Sequence, residues 1–473
     1  MKIAFCSSEA VPFSKTGGLA DVCGTLPLSL EKLGHEMIIF LPYYQCVREL
    51  GLDVVRIHDE VLLARLGNDI KVYLIENKKY FDRSGLYGDD NGDYPDNLER
   101  FSFFCLKVLE LIKRFHPDLD IVHCHDWQAA LIPAYLAFKF YIDEDLKKMM
   151  TIFTIHNLAY QGVFPVKEFA KLDLPRSVLT PEGIEFYGKV NLLKAGIIYS
   201  RMVTTVSENY AKEIQTAVFG CGLEGVLKNR KEGIVGILNG IDQSIWNPRT
   251  DSLIAQNYDG YDPSAKQLNK KNLRATFNLP DEQDMPIFGF VARLSHQKGL
   301  DLILESLASG EITKNIKCQF VFLGLGDKTY VKELKKWASQ CPRQVGVSFE
   351  FSEKTAHQIY AGSDFFLMPS VFEPCGLSQM ISLRYGTIPV VHAVGGLKDT
   401  IQDVKTDGNG IVFEEHSVRG FTSALRRAIK IYQQKELFQQ LVKKAAGHDF
   451  SWERSAQKYE QLYASLTLRQ KRT

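Results

Sequence analysis

Short apolar runs, each about one strand long, alternate with helix-length amphipathic stretches along nearly the whole chain. This alternation constrains the fold more than any other feature. In the first half, strands are expected at Lys2–Ser7, Glu36–Leu41, Ile121–His125, Met150–His156 and Met202–Val206. Helices are expected between them over Leu19–Leu33, Glu99–Phe115, Gln128–Phe140 and Val190–Tyr199. The stretch from Asp53 to Ile75 has the alternation of a small antiparallel excursion. In the second half, Ile287–Ala292, Gln319–Leu323, Val347–Phe351, Phe365–Met368, Pro389–His392 and Gly410–Phe413 read as strands. Asp301–Ala308, Tyr330–Gln340, Leu377–Tyr385 and Val418–Gln433 read as the helices between them. Repeated βα units build parallel sheets covered by helices on both faces. At 473 residues the chain is too long for one core. Two such blocks imply two doubly wound domains facing each other across a cleft, with a joint near Leu238–Asp242.

Composition narrows the function. The net charge of +1 carries no footprint of a nucleic-acid binder. No apolar run is long enough to cross a bilayer, so no membrane partner is expected. The N-terminal apolar run is interrupted at Glu9 and fits a first strand better than a signal peptide. The nine cysteines are scattered, odd in number and never spaced C-x-x-C, which fits a reducing, cytoplasmic compartment.

Ligands of open parallel sheets bind beyond the carboxyl ends of the strands, so each polar motif is weighed by the strand end it occupies. The turn after Phe365–Met368 holds a single carboxylate, Glu373, between prolines, and then offers the amides of Cys375, Gly376 and Leu377 where a helix begins. A helix start favours anionic and polar oxygen ligands, although an ordinary loop has the same look. Lys15-Thr16-Gly17-Gly18-Leu19-Ala20-Asp21 pairs glycines with a lysine ahead of the first long helix, and a phosphate or sugar site is preferred over packing. It is neither a P-loop nor G-x-G-x-x-G. Arg293 and Lys298 lie just past a strand's carboxyl end, where two cations could stabilise a leaving diphosphate. His156 and Asp126 end two first-block strands.

Metal chemistry is not expected. Asp118-Leu119-Asp120 precedes its strand, at the wrong end for a ligand. His123, Cys124 and His125 alternate across a strand with no second cluster of ligand spacing. Asp89–Asp93 lacks the glycine placement and closing glutamate of a calcium loop. G-x-S-x-G and H-E-x-x-H are absent.

The ordered set of motifs resembles the bacterial glycogen synthases, retaining glucosyltransferases that use ADP-glucose, and their plant starch synthase relatives. It comprises Lys15–Val22, Tyr94-Pro95-Asp96-Asn97 with Arg100-Phe101, His125-Asp126-Trp127, Thr154–Gly162, Asn239–Asp242, Arg293-Leu294 with Gln297–Gly299, Phe372–Leu377 and Gly395–Thr400. The resemblance covers nearly the whole chain and implies an α/β fold of glycosyltransferase type B. That fold has two Rossmann-like doubly wound domains facing across a deep cleft. They would be residues 1–240, joined by a returning helix near 452–468, and residues 241–450. It implies that Glu373, Arg293, Lys298, His156 and Asp126 are catalytic. Arg293 and Lys298 would hold the donor diphosphate, and Lys15, Gly17, Gly18 and Asp21 would act from the first domain. Glu373 with the amides of Cys375 and Gly376 would hold glucose hydroxyls, and His156 would approach the C6 hydroxyl. Asn239, Gly326, Gly395 and Gly396 would complete the donor site, with Phe351 stacking on adenine. Tyr94 and Asn97 would face the acceptor, which would be glycogen or a malto-oligosaccharide. No cofactor or metal is implied.

Two departures bear on mechanism. Val394 stands where the family usually has threonine, removing a hydroxyl from the phosphate site. Ile381 stands where related transferases carry a second glutamate, so a double displacement lacks a nucleophile and a same-face displacement fits better. A UDP-glucose donor, a noncatalytic glucan-binding role and a pyridoxal-dependent phosphorylase are the rivals to be weighed.

Overall fold

A computed structural model describes residues 1–89, 91–259, 263–282, 284–310, 312, 316–350 and 352–470. The chain divides into two compact units. Unit 1 is Met1–Gly240 with Trp452–Thr473, and unit 2 is Ile241–Ser451.

Unit 1 is built on a nine-stranded sheet. Its strands are β1 (Lys2–Cys6), β2 (Glu36–Pro42), β3 (Val55–His58), β4 (Val61–Leu66), β5 (Ile70–Ile75), β6 (Ile121–His125), β7 (Met150–Ile155), β8 (Met202–Thr205) and β9 (Ile234–Gly236). Their spatial order is β9-β8-β7-β6-β1-β2-β5-β4-β3. The excursion expected over Asp53–Ile75 is antiparallel in β3, β4 and β5, but β5 also rejoins the sheet parallel to β2. β1, β6 and β7 carry only apolar or hydrogen-bonded side chains, as strands buried on both faces must. The covering helices follow their apolar stripes. In Asn97–Phe115 the buried side chains Leu98, Phe101, Phe104, Cys105, Val108 and Ile112 recur at helical spacing.

Unit 2 carries a six-stranded, wholly parallel sheet made of β10 (Ile287–Val291), β11 (Gln319–Leu323), β12 (Val345–Ser348), β13 (Phe365–Met368), β14 (Ile388–His392) and β15 (Ile411–Phe413). The order is β12-β11-β10-β13-β14-β15. Phe288, Phe320 and Phe365 line up across three adjacent strands with centroid spacings of 5.4 and 5.0 Å. Such ring contacts add to the burial of the rings themselves.

In both sheets the chain order reverses beside the first strand. The switch falls between β1 and β6 in unit 1 and between β10 and β13 in unit 2. The loops leaving these strands diverge and open a crevice at the carboxyl ends, the standard ligand position of doubly wound sheets.

The third strand of unit 2 lies at Val345–Ser348 rather than Val347–Phe351. Two helices that the apolar pattern did not announce are also present, Pro263–Thr276 and Lys435–Ala446. No helix among the described residues is long and apolar enough to cross a membrane.

Candidate active site

At the unit 2 switch point, the loop after β10 brings Lys298 to the loop after β13. The ammonium Nζ lies 2.7 Å from Glu373 Oε2, and Glu373 as a whole residue is 4% exposed. Ser370 Oγ donates to the same oxygen at 3.0 Å. A buried carboxylate needs such partners to stay charged. The loops are locked together by backbone as well. Val371 N donates to Gln297 O at 2.9 Å. Gly299 turns at φ 71°, where a Cβ would stand 1.8 Å from Pro369 O. Only glycine permits this approach.

Neighbouring loops join the same cluster. Gly396 N donates to Glu373 O at 3.0 Å, and a Cβ on Gly396 would lie 2.2 Å from Cys375 O. Gly396 therefore packs closely against the Glu373 turn, and its amide, expected in the donor site, donates to Glu373 O. Val394 is buried at the start of Gly395–Thr400, and that helix has no side-chain cap there. Gly376 sits at φ 72°, and Gln379 Nε2 bonds both Cys375 O and Gly376 O. Gly326 is likewise explained by protein: Leu294 O lies 2.2 Å from where its Cβ would be, and Leu294 bridges to Gly326. Arg293 is exposed on the loop that carries Lys298. Phe351 lies outside the described residues. Ile381 is buried and apolar, with no carboxylate in its place.

Unit 1 gathers a different set. The loop after β1 is organised by Glu9, a residue that sequence reasoning passed over. Its carboxylate is buried and accepts from Thr16 N, from Thr16 Oγ1 at 2.7 Å, from Gly17 N at 3.4 Å and from Tyr87 OH at 2.5 Å. The Gly17 amide is thus drawn toward an internal carboxyl group. The only signal in the sequence was an acidic residue directly after a strand. Gly18 opens the helix Gly18–Lys32. Lys15 Nζ pairs with Asp21 Oδ1 at 2.7 Å near the surface.

Beyond β6 and β7, Asp126 and His156 meet. Asp126 Oδ1 accepts from His156 N at 2.7 Å, and Asp126 holds a left-handed backbone at φ 53°. Burial pushes its carboxyl up to about 7, against the pull of the His156 and Asn157 amides. Burial also pushes His156 down to about 3, so its imidazole is neutral at ordinary pH. His125 Nδ1 lies 3.0 Å from His156 Nε2. Asn239 is buried beyond β9 with Oδ1 unpartnered among the described residues.

Two residues expected at the acceptor have other occupations. Asn97 is buried, donates from Nδ2 to Tyr87 O at 2.8 Å and accepts from Arg100 at 2.6 Å. Each end of the amide bonds to protein. Tyr94 accepts from Gly85 N at 3.2 Å and lies under the Arg83 and Arg100 guanidiniums at 4.7 and 5.0 Å. The Tyr94–Phe101 motif is a structural anchor for the fully buried Arg100. Among the described residues, no group of three His, Cys, Asp or Glu side chains is arranged to hold a metal ion.

Each unit therefore gathers its own set of hydrogen-bonding groups beside the switch point of its sheet. Comparison with known proteins gives it a family. The starch synthase catalytic domain family matches residues 2–229, and the glycosyl transferases group 1 family matches residues 270–447. The chain is 46% identical to the glycogen synthase of Geotalea daltonii and 43% identical to glycogen synthase 2 of Geobacter sulfurreducens, covering 98% of both chains in each comparison. The catalytic domain of starch synthase IV from Arabidopsis thaliana, solved with ADP and acarbose, superposes with a TM-score of 0.89 at 34% identity over 98% of each chain. The chain belongs to the glycogen and starch synthase family and is a glycosyltransferase enzyme of glycogen synthesis with the type B fold.

Proposed function

We propose that the enzyme transfers glucose from ADP-glucose to the non-reducing-end 4-hydroxyl of an α-1,4-glucan, with retention of configuration. The observation that carries this reading is the Lys298–Glu373 pair at the unit 2 switch point, a charged hydrogen-bonded couple in a nearly sealed loop cluster. In this reading Glu373 accepts hydroxyls of the glucosyl unit. Lys298 and Arg293 stabilise charge that grows on the departing diphosphate, the role preorganised cations play in displacement chemistry. The ADP found with the Arabidopsis relative supports the choice of nucleotide.

The bond from glucose C1 to the diphosphate oxygen breaks, and its electron pair leaves on ADP. The acceptor 4-hydroxyl bonds to C1 from the same face and passes its proton to the departing phosphate oxygen. Buried Ile381 offers no nucleophile for a covalent intermediate, which favours this single same-face step. From unit 1, neutral His156 would give or accept a hydrogen bond at the sugar. Asp126, whose carboxyl holds its proton up to about 7, would sit near the sugar and the acceptor. Lys15 would add charge at the phosphates.

Incorporation of labelled glucose into glycogen, supplied as ADP-glucose or UDP-glucose without added metal, tests the reading. ADP-glucose should be the better donor and the new linkages α-1,4. A preference for UDP-glucose would overturn the donor assignment, and no incorporation from either would point to a glucan-binding protein.

A further inference from the structure

If His156 touches the transferred sugar, its neighbour His125 still lacks a task. His125 is fully buried at the carboxyl end of β6, with its ring between Phe5 and His123 at centroid distances of 4.7 and 4.2 Å. His123 is held at both nitrogens. Its Nδ1 lies 2.9 Å from Tyr463 OH and its Nε2 lies 2.6 Å from Thr154 Oγ1, which in turn lies 2.6 Å from Thr204 Oγ1. The plane against which His125 packs is therefore fixed. Of the two nitrogens of His125, Nδ1 faces His156 Nε2 at 3.0 Å, whereas Nε2 is sealed from solvent with no hydrogen-bond partner among the described residues.

Burial keeps both rings neutral. A neutral imidazole has one N–H and one lone pair, and the hydrogen bond made at one nitrogen decides which is which. Two arrangements satisfy the 3.0 Å contact. If His156 donates, then His125 must carry its proton on Nε2, where a sealed N–H meets no acceptor. If His125 donates, the sealed atom is only a lone pair. An unsatisfied buried N–H is the rarer and costlier defect. The second arrangement is therefore preferred.

We propose that His125 is a positioning residue that sets the tautomer of His156. It donates from Nδ1 to His156 Nε2, so that His156 carries its own proton on Nδ1 and presents a donor to an oxygen of the bound sugar. The sugar contact rests on the function proposed above, but the tautomer does not. No described protein group is recorded on His156 Nδ1, and the residue retains 8% of its surface.

The test pairs His125→Asn, whose amide can still donate, with His125→Leu, which cannot. Nitrogen NMR of ring-labelled histidine distinguishes protonated from bare ring nitrogens. It should show His156 protonated on Nδ1 in the unsubstituted enzyme and in H125N, and in mixed tautomers in H125L. Turnover with ADP-glucose and glycogen should fall about tenfold in H125L, the loss of one well-placed hydrogen bond, while the donor KM moves less. H125N should recover most of that loss. A His156 proton on Nε2 in the unsubstituted enzyme overturns the proposal even if neither variant folds. So does an H125N as impaired as H125L at matched melting temperature. His156→Ala separates the two layers. If H156A is fully active, the sugar contact fails and the tautomer assignment stands on its spectrum. If H156A is impaired and H125L is not, the positioning role fails.

Discussion

The two switch points handle polarity in opposite ways. In unit 2 charge is met by charge: Lys298 and Glu373 share a 2.7 Å contact, and Ser370 takes up another lone pair of the carboxylate. Along and beyond β6 and β7 in unit 1, burial suppresses charge. His123 and His156 are pushed down to about 3, and the Asp126 carboxyl is pushed up to about 7. One cluster is an ion pair, and the other, at His123, His156 and Asp126, is a set of neutral donors and acceptors. Under the function proposed above, the first would be an electrostatic clamp acting on charge as it develops, and the second a shaped template for hydroxyl groups.

The contrast breaks most readily at Glu373. Glu373→Ala should lower kcat by about 10³-fold while donor affinity changes far less. It should also destabilise the protein by about 3–5 kcal/mol, because the Lys298 ammonium is left without its partner. Steady-state kinetics and urea unfolding read both, and unchanged turnover would end the assignment. Lys298→Ala should cost about 10²-fold in kcat/KM, measured with ADP-glucose as the varied substrate. A change confined to acceptor KM would mean that the cationic loop holds glucan and not diphosphate.

Gly299→Ala tests the backbone that holds the clamp. At φ 71° with Pro369 O in the way, it should lose about 2 kcal/mol or more of stability by denaturant midpoint and carry Lys298 away from Glu373. Wild-type stability and activity would show that the loops have room the geometry denies.

The template is sharpened by pH. Below 6.5 the unfolded chain binds protons that buried His123 and His156 refuse until about pH 3. Their contribution to stability is present above 6.5 and is lost as pH falls toward 3. Asp126 works in the other direction. Its folded carboxyl keeps a proton up to about 7 against 3.8 in an exposed carboxyl, so its contribution declines as pH rises through that window. Asp126→Asn keeps an acceptor for the His156 amide and removes only the second effect. The variant should therefore gain on the unsubstituted enzyme by about 3 kcal/mol between pH 4 and pH 7, read from urea midpoints. A constant difference would show that the Asp126 carboxyl is ionised throughout. Smallest of all, Lys15→Ala should change stability by less than about 1 kcal/mol, since its pair with Asp21 is near the surface, and should weaken the donor KM.

Much of this was readable from the residues because apolar strands and glycine-bounded turns are local signals. β13 and the helix Val418–Gln433 fall where periodicity placed them. The failures have a common physical cause, polar residues turned inward. Pro263–Thr276 reads as a solvated, lysine-rich stretch, yet Lys266, Lys270 and Arg274 share its buried face with Ala265, Asn269 and Leu273. Lys266 Nζ reaches Tyr385 O and Thr387 Oγ1 at 3.0 and 2.8 Å, and Lys270 pairs with Asp364 at 2.7 Å. Burial pushes the Lys266 ammonium down to about 7. A hydropathy pattern cannot announce a core face made of cations whose partners lie far away in sequence. Glu9 escaped for the same reason, and the burial of Asn97 against Arg100 was equally hidden because Arg100 is itself buried. At the glycines the residue type was informative but the cause was not. Gly326 and Gly396 are fitted to neighbouring backbone, a constraint that exists only once the loops have met.

The helix Trp452–Gln470 follows unit 2 in the chain but belongs to unit 1, where it packs along Gly18–Lys32 and sends the Tyr463 hydroxyl to His123. Synthesis therefore delivers the parts out of spatial order. A ribosome releases every residue of unit 2 before the segment that finishes unit 1, so unit 2 can close while its elder neighbour is still incomplete. Until Tyr459, Tyr463 and Leu466 emerge, all of them sealed in the finished protein, the nascent unit 1 carries an unfilled apolar seam and a histidine pair lacking its outer prop. Translation that halts before Trp452 would yield one finished half and one that invites proteolysis or chaperone capture, so the enzyme's quality control is written into the order of its chain.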